Sequence, residues 1–414
     1  MKYVIFDDEK RCSFFPLTFT HSTGDLRVGI LKLRQRILAK FSILETNVII
    51  WSDLEKMYRE RHSNWSVNEL SNGETIFINS RLQIDEVTKN EIKNLQIGEK
   101  LQLNDEVLAA KILTKSTKVT SEKLTELFTD LQNIPTKSGK LWRYNWEFIS
   151  QNAEMIQNDF NKYFYNRKNY FEVSPSTTVL NPYNVWFGSK VELKPGVVLD
   201  ATNGPIIIDE GARILSNAVI VGPVYIGKKS VIKANSIIDE GTTIGAICKI
   251  GGEVEHSIIQ GYTNKQHSGF LGHSYLGEWV NLGANTSNSD LKNNYKNVKS
   301  YFYPEQKRID TKNQFVGCVI GDHSKTGINV AINTGTVIGV GCNLFGQLLL
   351  KNFVSSFSWG DASNVIKYEK NKFLETAVYV KKRRGLDFSE NEKELYSKIH
   401  DYIFTKSDKK MEGK

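Results

Sequence analysis

Hydrophobic residues in the second half of the chain recur at every sixth position. From Ile208 to Ile250 an isoleucine stands at each sixth residue, eight times in succession, and a small or β-branched side chain precedes each by two residues. Neither the 3.6-residue period of a helix nor the two-residue period of a strand produces this spacing. Hexapeptide repeats predict a parallel β-helix, and this pattern resembles the left-handed form, with isoleucines stacked inside a three-sided prism.

The repeat is interrupted once and then resumes over residues 318–344. Four hydrophobic residues before the interruption keep the six-residue phase: Ile258, Phe270, Leu276 and Leu282. Residues 286–314 do not keep it, so we expect them to leave the coil as a loop. Loops that project from a rigid solenoid are where a functional site is expected.

The cysteines support the same interpretation. Cys248, Cys318 and Cys342 occupy the small-residue position of the repeat and are predicted to be buried thiols, whereas Cys12 lies outside it. The four cysteines form neither CxxC pairs nor Cys/His clusters at zinc spacing, so no metal-thiolate site is predicted.

The first half alternates strand-like and helix-like patterns. The strand-like runs are Tyr3–Phe6, Val48–Trp51, Thr75–Ile78 and Val107–Ala110, and the helical patterns include Leu26–Leu38 and Glu122–Leu131. This alternation predicts an α/β, Rossmann-like domain. The segment Leu141–Phe164 predicts a helical connector. We therefore predict an N-terminal domain over residues 1–175, a β-helix over 176–355 and a C-terminal helical tail over 356–414.

The tail has an amphipathic helical pattern. Ser389, followed three residues later by Glu392, has the spacing of a capping box at the start of a helix. We expect the tail to pack on the coil or on a neighbouring subunit.

Composition narrows the class of protein. Charged residues make up 24% and hydrophobic residues 40%, as in folded globular proteins. No apolar run approaches the roughly 18 residues of a membrane span, and the apolar start ends at Asp7, too early for a signal peptide. We expect a cytoplasmic protein with no membrane partner. The net charge of +8 suits anionic ligands, but no basic run is interleaved with aromatic residues, so no nucleic-acid partner is predicted.

One polar segment interrupts the aliphatic coil: "KQHSGFLGHSYLGEWVNLGANTSNSD", residues 265–290. A histidine, then aromatic-Leu-Gly, then Val-Asn-Leu-Gly-Ala-x-Thr resembles the acetyltransferase half of the bifunctional glucosamine-1-phosphate acetyltransferase / N-acetylglucosamine-1-phosphate uridyltransferase family. The resemblance implies that His267 is the general base that deprotonates the substrate amine as it attacks acetyl-CoA. Imidazole suits this task because its pKa lies near working pH.

The same resemblance implies substrate contacts. Asn281 matches a residue that contacts the sugar, and Lys296 falls near a lysine that meets the sugar phosphate, with Lys292 as the competing candidate. Two positions depart from the family. Phe270 replaces a substrate-binding tyrosine, and Glu255 stands in place of a phosphate-binding lysine, which reverses the charge.

The family further implies a homotrimer with sites between adjacent coils. Asn285 lies where the acetyl-CoA loop of the family begins. Lys325 or Asn333 of a neighbouring subunit would line the cofactor.

The tail "FSWGDASNVIKYEKNKFLETAVYVKKRRG" and the start "PLTFTHSTGDLRVGI" extend the resemblance over nearly the whole chain. They are similar to the alternative bacterial form of the bifunctional UDP-N-acetylglucosamine diphosphorylase / glucosamine-1-phosphate N-acetyltransferase family. This form implies acetyl transfer to an amino-sugar 1-phosphate and uridylyl transfer from UTP, with Mg²⁺. The glycine-rich triphosphate loop of ordinary sugar nucleotidyltransferases is missing, and His21 stands where an arginine is expected.

Candidate nucleotide ligands follow the strands of the first half, because nucleotide sites of α/β sheets lie at the carboxyl ends of strands. Asp7, Asp8 and Arg11 follow the first strand. Arg27 opens a predicted helix, and Arg81 follows the third strand. For nucleotidyl transfer, Asp7 or Asp8 would hold Mg²⁺ and the arginines would bind the phosphates.

Two alternatives stay open from the sequence. In one, only one of the two halves is active. In the other, the chain is a non-catalytic trimeric scaffold that binds a sugar nucleotide.

Overall fold

The computed structural model describes residues 2–136 and 138–411 of the chain. Its first half is an α/β domain whose central sheet has seven strands in the described residues. In spatial order these are Gln132–Pro135, Glu99–Leu103, Glu106–Thr114, Gly73–Asn79, Lys2–Phe6, Asn47–Ile49 and Ser66–Val67. Of the seven, Glu106–Thr114 runs antiparallel to its neighbours, so the other six share one carboxyl edge. The four strands predicted for this half are confirmed.

Five helices of this domain cover the sheet or lead out of it. They are α1 (Leu33–Phe41), α2 (Glu55–Arg61), α3 (Glu86–Asn94), α4 (Ser121–Phe128) and α5 (Asn145–Asp159), the last extended by a π turn at Phe160–Phe164. Apolar side chains of α1, α2 and α3 pack on one face of the sheet, and those of α4 pack on the other. Short ribbons pair Glu69–Leu70 with Thr117–Lys118 and Leu82–Gln83 with Lys140–Leu141. The helical connector is thus confirmed, although it begins only at Asn145.

The helix predicted over Leu26–Leu38 is wrong in its first part. Arg27–Val28 and Leu31–Lys32 form an antiparallel hairpin, and α1 starts after it. The turn of this hairpin is fixed from outside, because its backbone N–H groups donate to the side chains of Asn152 (2.7 Å) and Asp159 (2.8 Å) on α5. Tertiary contacts therefore override the local helical propensity.

The second half is a left-handed parallel β-helix, as predicted. The first face consists of Thr178–Leu180, Val198–Asp200, Val219–Val221, Ile237–Ile238, Glu253–Glu255 and Phe270–Gly272. The second face consists of Val185–Phe187, Ile206–Ile208, Val224–Ile226, Thr242–Ile244, Ile258–Ile259, Tyr275–Leu276, Cys318–Ile320, Thr336–Ile338 and Phe353–Val354. The third face consists of Glu192–Leu193, Arg213–Ile214, Val231–Ile232, Lys249–Ile250 and Asn264–Lys265, then, beyond a bridge at Asn281, Lys325–Thr326, Asn343–Leu344, Ser358–Gly360 and the antiparallel Val365–Lys367.

The isoleucines of the repeat and its three cysteines are buried inside this coil. The phase slips before the interruption, because the steps from Ile250 to Val254 and from Val254 to Ile259 have four and five residues. The prediction that Ile258 and Phe270 are inward is therefore wrong. Ile258 packs on the N-terminal domain, Phe270 is half-buried, and Leu271 takes the core position.

Residues 286–314 leave the coil only in part. Ser287–Asn288 still pair in parallel with Ala331–Ile332, so the coil continues into this segment. The remainder projects as an antiparallel hairpin of Lys299–Phe302 and Lys307–Asp310. The prediction of a loop is right for this excursion hairpin and wrong for the first residues.

The N-terminal domain packs on the second face of the coil. Phe148 of α5 contacts Tyr275 with a ring separation of 6.0 Å, and Ile156 shares a buried cluster with Trp186. The excursion hairpin adds Tyr303, whose ring meets Phe15 edge-on at 5.6 Å. One face of the prism is thus covered by the same chain.

Helices α6 (Lys370–Lys382) and α7 (Glu390–Met411) form the tail. The predicted capping box is present, since Glu392 N–H donates to Ser389 Oγ (3.2 Å) and Ser389 N–H donates to Glu392 Oε2 (3.1 Å). Phe373 of α6 packs near His323 of the coil, which confirms the expected contact of the tail with the coil. The tail also binds the N-terminal domain, where Arg61 of α2 pairs with Glu392 at 2.6 Å. Among the described residues, no helix is both long and apolar enough to cross a membrane.

Candidate functional site

A short turn at the corner between the third and first faces carries His267. The turn spans residues 266–269 and joins the strands Asn264–Lys265 and Phe270–Gly272. His267 is exposed, and its ring has no hydrogen-bond or ion-pair partner in the part of the chain that the structure describes. Gly269 has φ +120°, and a Cβ there would lie 2.2 Å from the carbonyl oxygen of Thr286, so only glycine fits. The turn is therefore fixed while the imidazole is left free.

Lys265 lies inside the coil beneath this turn, with 1% of its surface exposed. Its Nζ donates to the carbonyl oxygens of Gly251 (2.7 Å), His267 (3.1 Å) and Gly269 (2.6 Å). Burial lowers the pKa of its ammonium to about 8. The six-residue phase places no inward residue at 265, so Lys265 was not identified from the sequence as part of the site. A charged residue two positions before His267 was the one feature of the sequence that could have indicated it.

Asn281 lies on the outer side of the third face. Backbone bridges place it between Asn264 on one turn of the coil and Lys325 on the next. Asn264 Nδ2 donates to Asn281 Oδ1 (3.3 Å), and Arg384 of the tail donates to Asn264 Oδ1 (2.7 Å). Lys325 donates to the His323 carbonyl (2.9 Å), and burial lowers its pKa to about 8. The structure thus brings the predicted sugar and cofactor contacts Asn281 and Lys325 side by side within one chain.

The first face carries a second polar cluster, which the sequence did not predict as a unit. His273 Nδ1 lies 2.8 Å from Asp290 Oδ2 and 4.0 Å from Glu255 Oε1. The imidazole stacks between His256 and Phe315, with ring centroids 4.6 and 5.1 Å away. Burial, and then the charge of Asp290, raise the pKa of Glu255. The position that carries a phosphate-binding lysine in the resembled family is therefore part of an acidic cluster around a histidine.

The remaining coil candidates are spread over the excursion and the turns around it. Lys296 is exposed, whereas Lys292 is half-buried and its Nζ donates to the Asn297 carbonyl (3.2 Å). Asn285 donates to Asn329 Oδ1 at 3.1 Å. Asn333 follows the strand Ala331–Ile332, and its Oδ1 accepts from the Thr334 N–H at 2.8 Å. Their substrate and cofactor roles stay predictions.

At the carboxyl edge of the N-terminal sheet, Asp7 is buried with 1% exposure. Its oxygens accept hydrogen bonds from Ser22 Oγ (3.1 Å), Ser80 Oγ (2.7 Å) and the Thr23 N–H (3.1 Å). Burial raises the pKa of this carboxyl to about 6, although the three donors act in the opposite direction. In this arrangement Asp7 holds the turns after the first strand together.

Asp8 and Arg81 lie next to each other at the same edge. The guanidinium of Arg81 binds Asp8 with both Nε (3.0 Å) and Nη2, and it also binds Glu106 at 2.7 Å. Its Nη1 donates to the Trp142 carbonyl at 2.9 Å, and Arg81 is 1% exposed. The predicted metal ligand and the predicted phosphate ligand thus neutralise each other.

The other two arginines predicted to bind phosphate are also engaged. Arg11 forms a two-pronged ion pair with Asp53 (3.0 and 2.8 Å), and its guanidinium lies 4.4 Å from the centroid of the Trp51 ring. Arg27 lies in the hairpin rather than at a helix start, and its guanidinium binds the Ile30 carbonyl. The prediction that Arg27 opens a phosphate-binding helix is wrong, because the hairpin occupies this position.

His21 lies at the boundary between the domains, where it is 4% exposed. Its Nε2 lies 2.8 Å from Asp322 Oδ2 of the coil. Asp322 also accepts from Thr20 Oγ1 (2.9 Å) and from the Glu278 N–H (2.8 Å). The residue in place of the expected phosphate-binding arginine therefore joins the two halves of the chain.

A cavity of about 380 Å³ opens at the carboxyl edge of the sheet. Its charged lining residues are Asp7, Asp8, Glu9, Asp105, Glu106, Glu122 and Lys10. A polyphosphate in this cavity would therefore lie mostly among carboxylates. A neighbouring cavity of about 760 Å³, between this edge and the excursion hairpin, adds Arg81 and Arg143 to its walls.

Several known proteins are similar to the chain. Residues 3–168 match the family model described as sugar nucleotidyl transferase. Over 359 residues the chain is 25% identical to the bifunctional protein GlmU of Methanocaldococcus jannaschii, with 84% of this chain and 79% of that protein covered. It is 22% identical over 380 residues to GlmU of Methanococcus aeolicus, with 88% and 85% covered.

A third relative matches one region at higher identity. The bifunctional sugar-1-phosphate nucleotidylyltransferase/acetyltransferase of Sulfurisphaera tokodaii is 39% identical over 148 residues, which is 34% of this chain and 35% of that protein. The two longer matches extend over both halves of the chain.

Proposed function

We propose, on the premise that this chain belongs to the GlmU-like family of bifunctional transferases, that its coil transfers the acetyl group of acetyl-CoA to an amino-sugar 1-phosphate. The observation that carries the proposal is His267, an exposed imidazole without a partner on a turn fixed by Gly269. A general base must be free to take a proton and held in place relative to its substrate. His267 meets both requirements.

The chemistry assigned to His267 balances within one turnover. An imidazole nitrogen takes a proton from the substrate ammonium, and the freed amine attacks the thioester carbonyl of acetyl-CoA. The C–S bond breaks as the tetrahedral intermediate collapses. The imidazolium returns its proton to the departing thiolate, and the amide nitrogen loses its second proton to water. The products are N-acetylated sugar phosphate, CoA-SH and one released proton.

Substrate binding is assigned to the polar groups around this base. Asn281 would hold the sugar and Lys296, or Lys292, its phosphate, while Phe270 packs beside the sugar without the hydroxyl that a tyrosine would bring. Asn285 would line the acetyl-CoA from the same chain, and Lys325 or Asn333 from a neighbouring subunit. Glu255 is engaged with His273 and Asp290, so it makes no contact with the phosphate in this assignment.

We assign uridylyl transfer from UTP to the N-terminal domain, which would use the acetylated sugar phosphate and complete UDP-N-acetylglucosamine synthesis. The match of residues 3–168 to a sugar nucleotidyl transferase model supports this step. The predicted Mg²⁺ ligands do not fit a cation as arranged. Asp7 is buried with three donors on its oxygens, and Asp8 is bound by Arg81. We therefore derive no step through Mg²⁺, and both ligands stay predictions.

A second candidate, in which only the coil is catalytic, is favoured by the charges at the sheet edge. Arg11 and Arg81 at the sheet edge, and Arg27 in the hairpin, are all engaged by other groups of the chain. The cavity at the sheet edge is lined mainly by carboxylates. Under this candidate the N-terminal domain covers the second face and supports the coil.

The family also supports assembly as a homotrimer, and UTP and acetyl-CoA as substrates favour a cytoplasmic location. Large apolar side chains stay exposed along the coil of a single chain, among them Ile237 (45%), Ile328 (67%) and Leu348 (59%). Burial of such residues between subunits would stabilise a trimer. Light scattering on the purified protein measures the subunit number directly.

A two-channel assay tests the proposal. One channel follows CoA-thiol release from acetyl-CoA with glucosamine 1-phosphate, and the other follows pyrophosphate release from UTP with N-acetylglucosamine 1-phosphate and Mg²⁺. Signals in both channels support the bifunctional enzyme, and thiol release alone supports the second candidate. Silence in both, across several amino sugars and nucleotides, would leave a binding scaffold.

A further inference from the structure

The inward position on the third face of the coil is hydrophobic on the turns directly before and after Lys265. Along successive turns it holds Leu193, Ile214, Ile232, Ile250, Lys265 and Leu282. Burying an ammonium is costly unless it gains partners. A lysine in this column therefore requires an explanation, whereas burial alone explains its hydrophobic neighbours.

The partners of Lys265 are backbone carbonyls rather than carboxylates. In the described part of the chain it forms no ion pair, and its three hydrogen bonds go to Gly251, His267 and Gly269. Gly251 belongs to the turn of the coil below, whereas His267 and Gly269 belong to the corner turn itself. One buried ammonium thus ties the corner turn to the coil on which it rests.

At the corner the chain leaves the parallel strands, and these hydrogen bonds take the place of the backbone hydrogen bonds between turns of the coil. The Gly269 carbonyl also accepts a weak hydrogen bond from the Glu253 N–H (3.3 Å), whereas for the carbonyls of Gly251 and His267 the ammonium is the partner that the structure shows. A hydrophobic side chain at 265 would leave these oxygens to water. The turn would then keep the steric constraint at Gly269 and the hydrogen bonds that the Gly269 and Ser268 carbonyls accept from the N–H groups of Glu253 (3.3 Å) and Asn285 (2.9 Å).

We propose that Lys265 is a positioning residue for acetyl transfer, which holds the turn that carries His267 in the orientation needed for proton transfer. The proposal rests on the proposed role of His267 as the base. A catalytic histidine is usually aligned by a second side chain that binds its ring. Here a buried lysine would align His267 by binding the backbone of its turn. Misplacement of a catalytic group by about 1 Å costs up to 100-fold in rate.

Lys265→Met tests the proposal, because methionine is unbranched, has nearly the length of lysine and suits the hydrophobic column. We expect kcat for acetyl transfer to fall about 10- to 50-fold with the KM for acetyl-CoA changed less than about twofold, since alignment acts on the chemical step. Lys265→Gln keeps two N–H donors and should recover part of the loss. Lys228→Met, an exposed lysine of the same coil, is the matched control and should keep full activity.

A double variant separates positioning from general damage. If Lys265 acts through His267, adding Lys265→Met to His267→Ala costs nothing further, so the two losses are not additive. Additive losses would overturn the proposal. Should Lys265→Met fail to fold, the same cycle is run with Lys265→Gln.

Amide hydrogen exchange gives a readout that does not depend on activity. The N–H groups of Glu253 and Asn285, which donate to the Gly269 and Ser268 carbonyls of the turn, should exchange faster in Lys265→Met than in the parent protein, while the strands of the second face stay unchanged. Unchanged exchange at these two amides would overturn the proposal even if activity fell. Faster exchange in a protein that shows no acetyl transfer at all would mean that the proposed function is wrong and that the lysine anchors the turn for another reason.

Discussion

The two candidate sites of this molecule differ in whether their polar side chains already have partners within the chain. On the coil, His267 is exposed and unpaired, while the backbone that carries it is tied down from below. At the edge of the N-terminal sheet, Asp8 and Arg81 bind each other, and Asp7 is enclosed by donors. A site ready for a substrate keeps its functional groups free and their supports fixed, because groups that are already paired must first lose their partners. His267 meets this condition, whereas Asp7, Asp8 and Arg81 do not.

The same contrast holds at the boundary between the halves. His21 and Asp322 form a buried pair across this boundary, so a residue in the segment that resembles a triphosphate site serves packing instead. Nucleotidyl transfer by this chain would therefore require a rearrangement of paired charges, whereas the proposed base His267 has no partner to lose among the described residues.

Replacing His267 with alanine tests the contrast with the largest expected effect. Loss of a general base costs about 10²- to 10⁴-fold, so kcat for acetyl transfer should fall at least about 100-fold. Pyrophosphate release should stay within about twofold of the parent, because His267 is far along the chain from the sheet edge. His256→Ala, on the neighbouring turn of the coil, is the control. If His267→Ala reduced both activities equally, or reduced neither, the assignment of His267 as the base of acetyl transfer would be wrong.

Arg81→Met tests whether the sheet edge is structural as described. Removing the guanidinium leaves Asp8 and Glu106 without their buried partner, which should lower the free energy of unfolding by about 3 kcal/mol. Arg143→Met is the matched control, since Arg143 also pairs with Glu106 but is half exposed, and its loss should cost less than about 1 kcal/mol. Urea titrations measure both values. An unchanged stability together with a tenfold higher KM for UTP would instead make Arg81 a nucleotide ligand.

His21→Gln tests the boundary and carries a pH signature. Burial lowers the pKa of His21, but the charge and hydrogen bond of Asp322 raise it more, so the net pKa is raised; Glu278 and Arg61 also act on it. A raised histidine pKa gives stability that is complete below about pH 6.5, the unfolded value, and is lost as pH rises through the folded value. The variant should therefore lose about 2 kcal/mol at pH 6 and less at pH 9. A loss that is equal at both pH values would show that the pair is not charged.

The fold was predictable where the pattern is local and repeated. Stacked isoleucines at a fixed period define a coil turn by turn, so the β-helix could be predicted from Ile208 to Ile250 alone. The register slip at Ile258 and Phe270 could not, because two shortened sides, Ile250 to Val254 and Val254 to Ile259, change which residues face inward. The hairpin at residues 27–32 could not be predicted either, since it is fixed by α5, which lies more than a hundred residues away in sequence.

The site was predictable in its chemistry more than in its connections. The motif around His267 indicated a base, and placement after strands indicated where Arg11 and Arg81 would lie. Their partners, Asp53 and Asp8, could not be predicted, because an ion pair between distant segments depends on the packing of the whole domain. Lys265 was missed because the six-residue phase places no inward residue there, and its three acceptors are backbone carbonyls that the sequence pattern does not mark.

The smallest expected effect separates Lys296 from Lys292 as the ligand of the sugar phosphate. Lys296 is exposed and its ammonium has no partner among the described residues, whereas Lys292 already donates to the Asn297 carbonyl. By the rule that the coil keeps its functional groups free, Lys296→Ala should raise the KM for the sugar phosphate about fivefold, or about 1 kcal/mol, with kcat unchanged. Lys292→Ala should raise it less than twofold. Because an exposed ammonium is screened by salt, the effect of Lys296→Ala should shrink at about 0.5 M NaCl. A larger effect for Lys292→Ala would show that a paired group is recruited by the substrate, and the distinction between the coil and the sheet edge would then lose its predictive value.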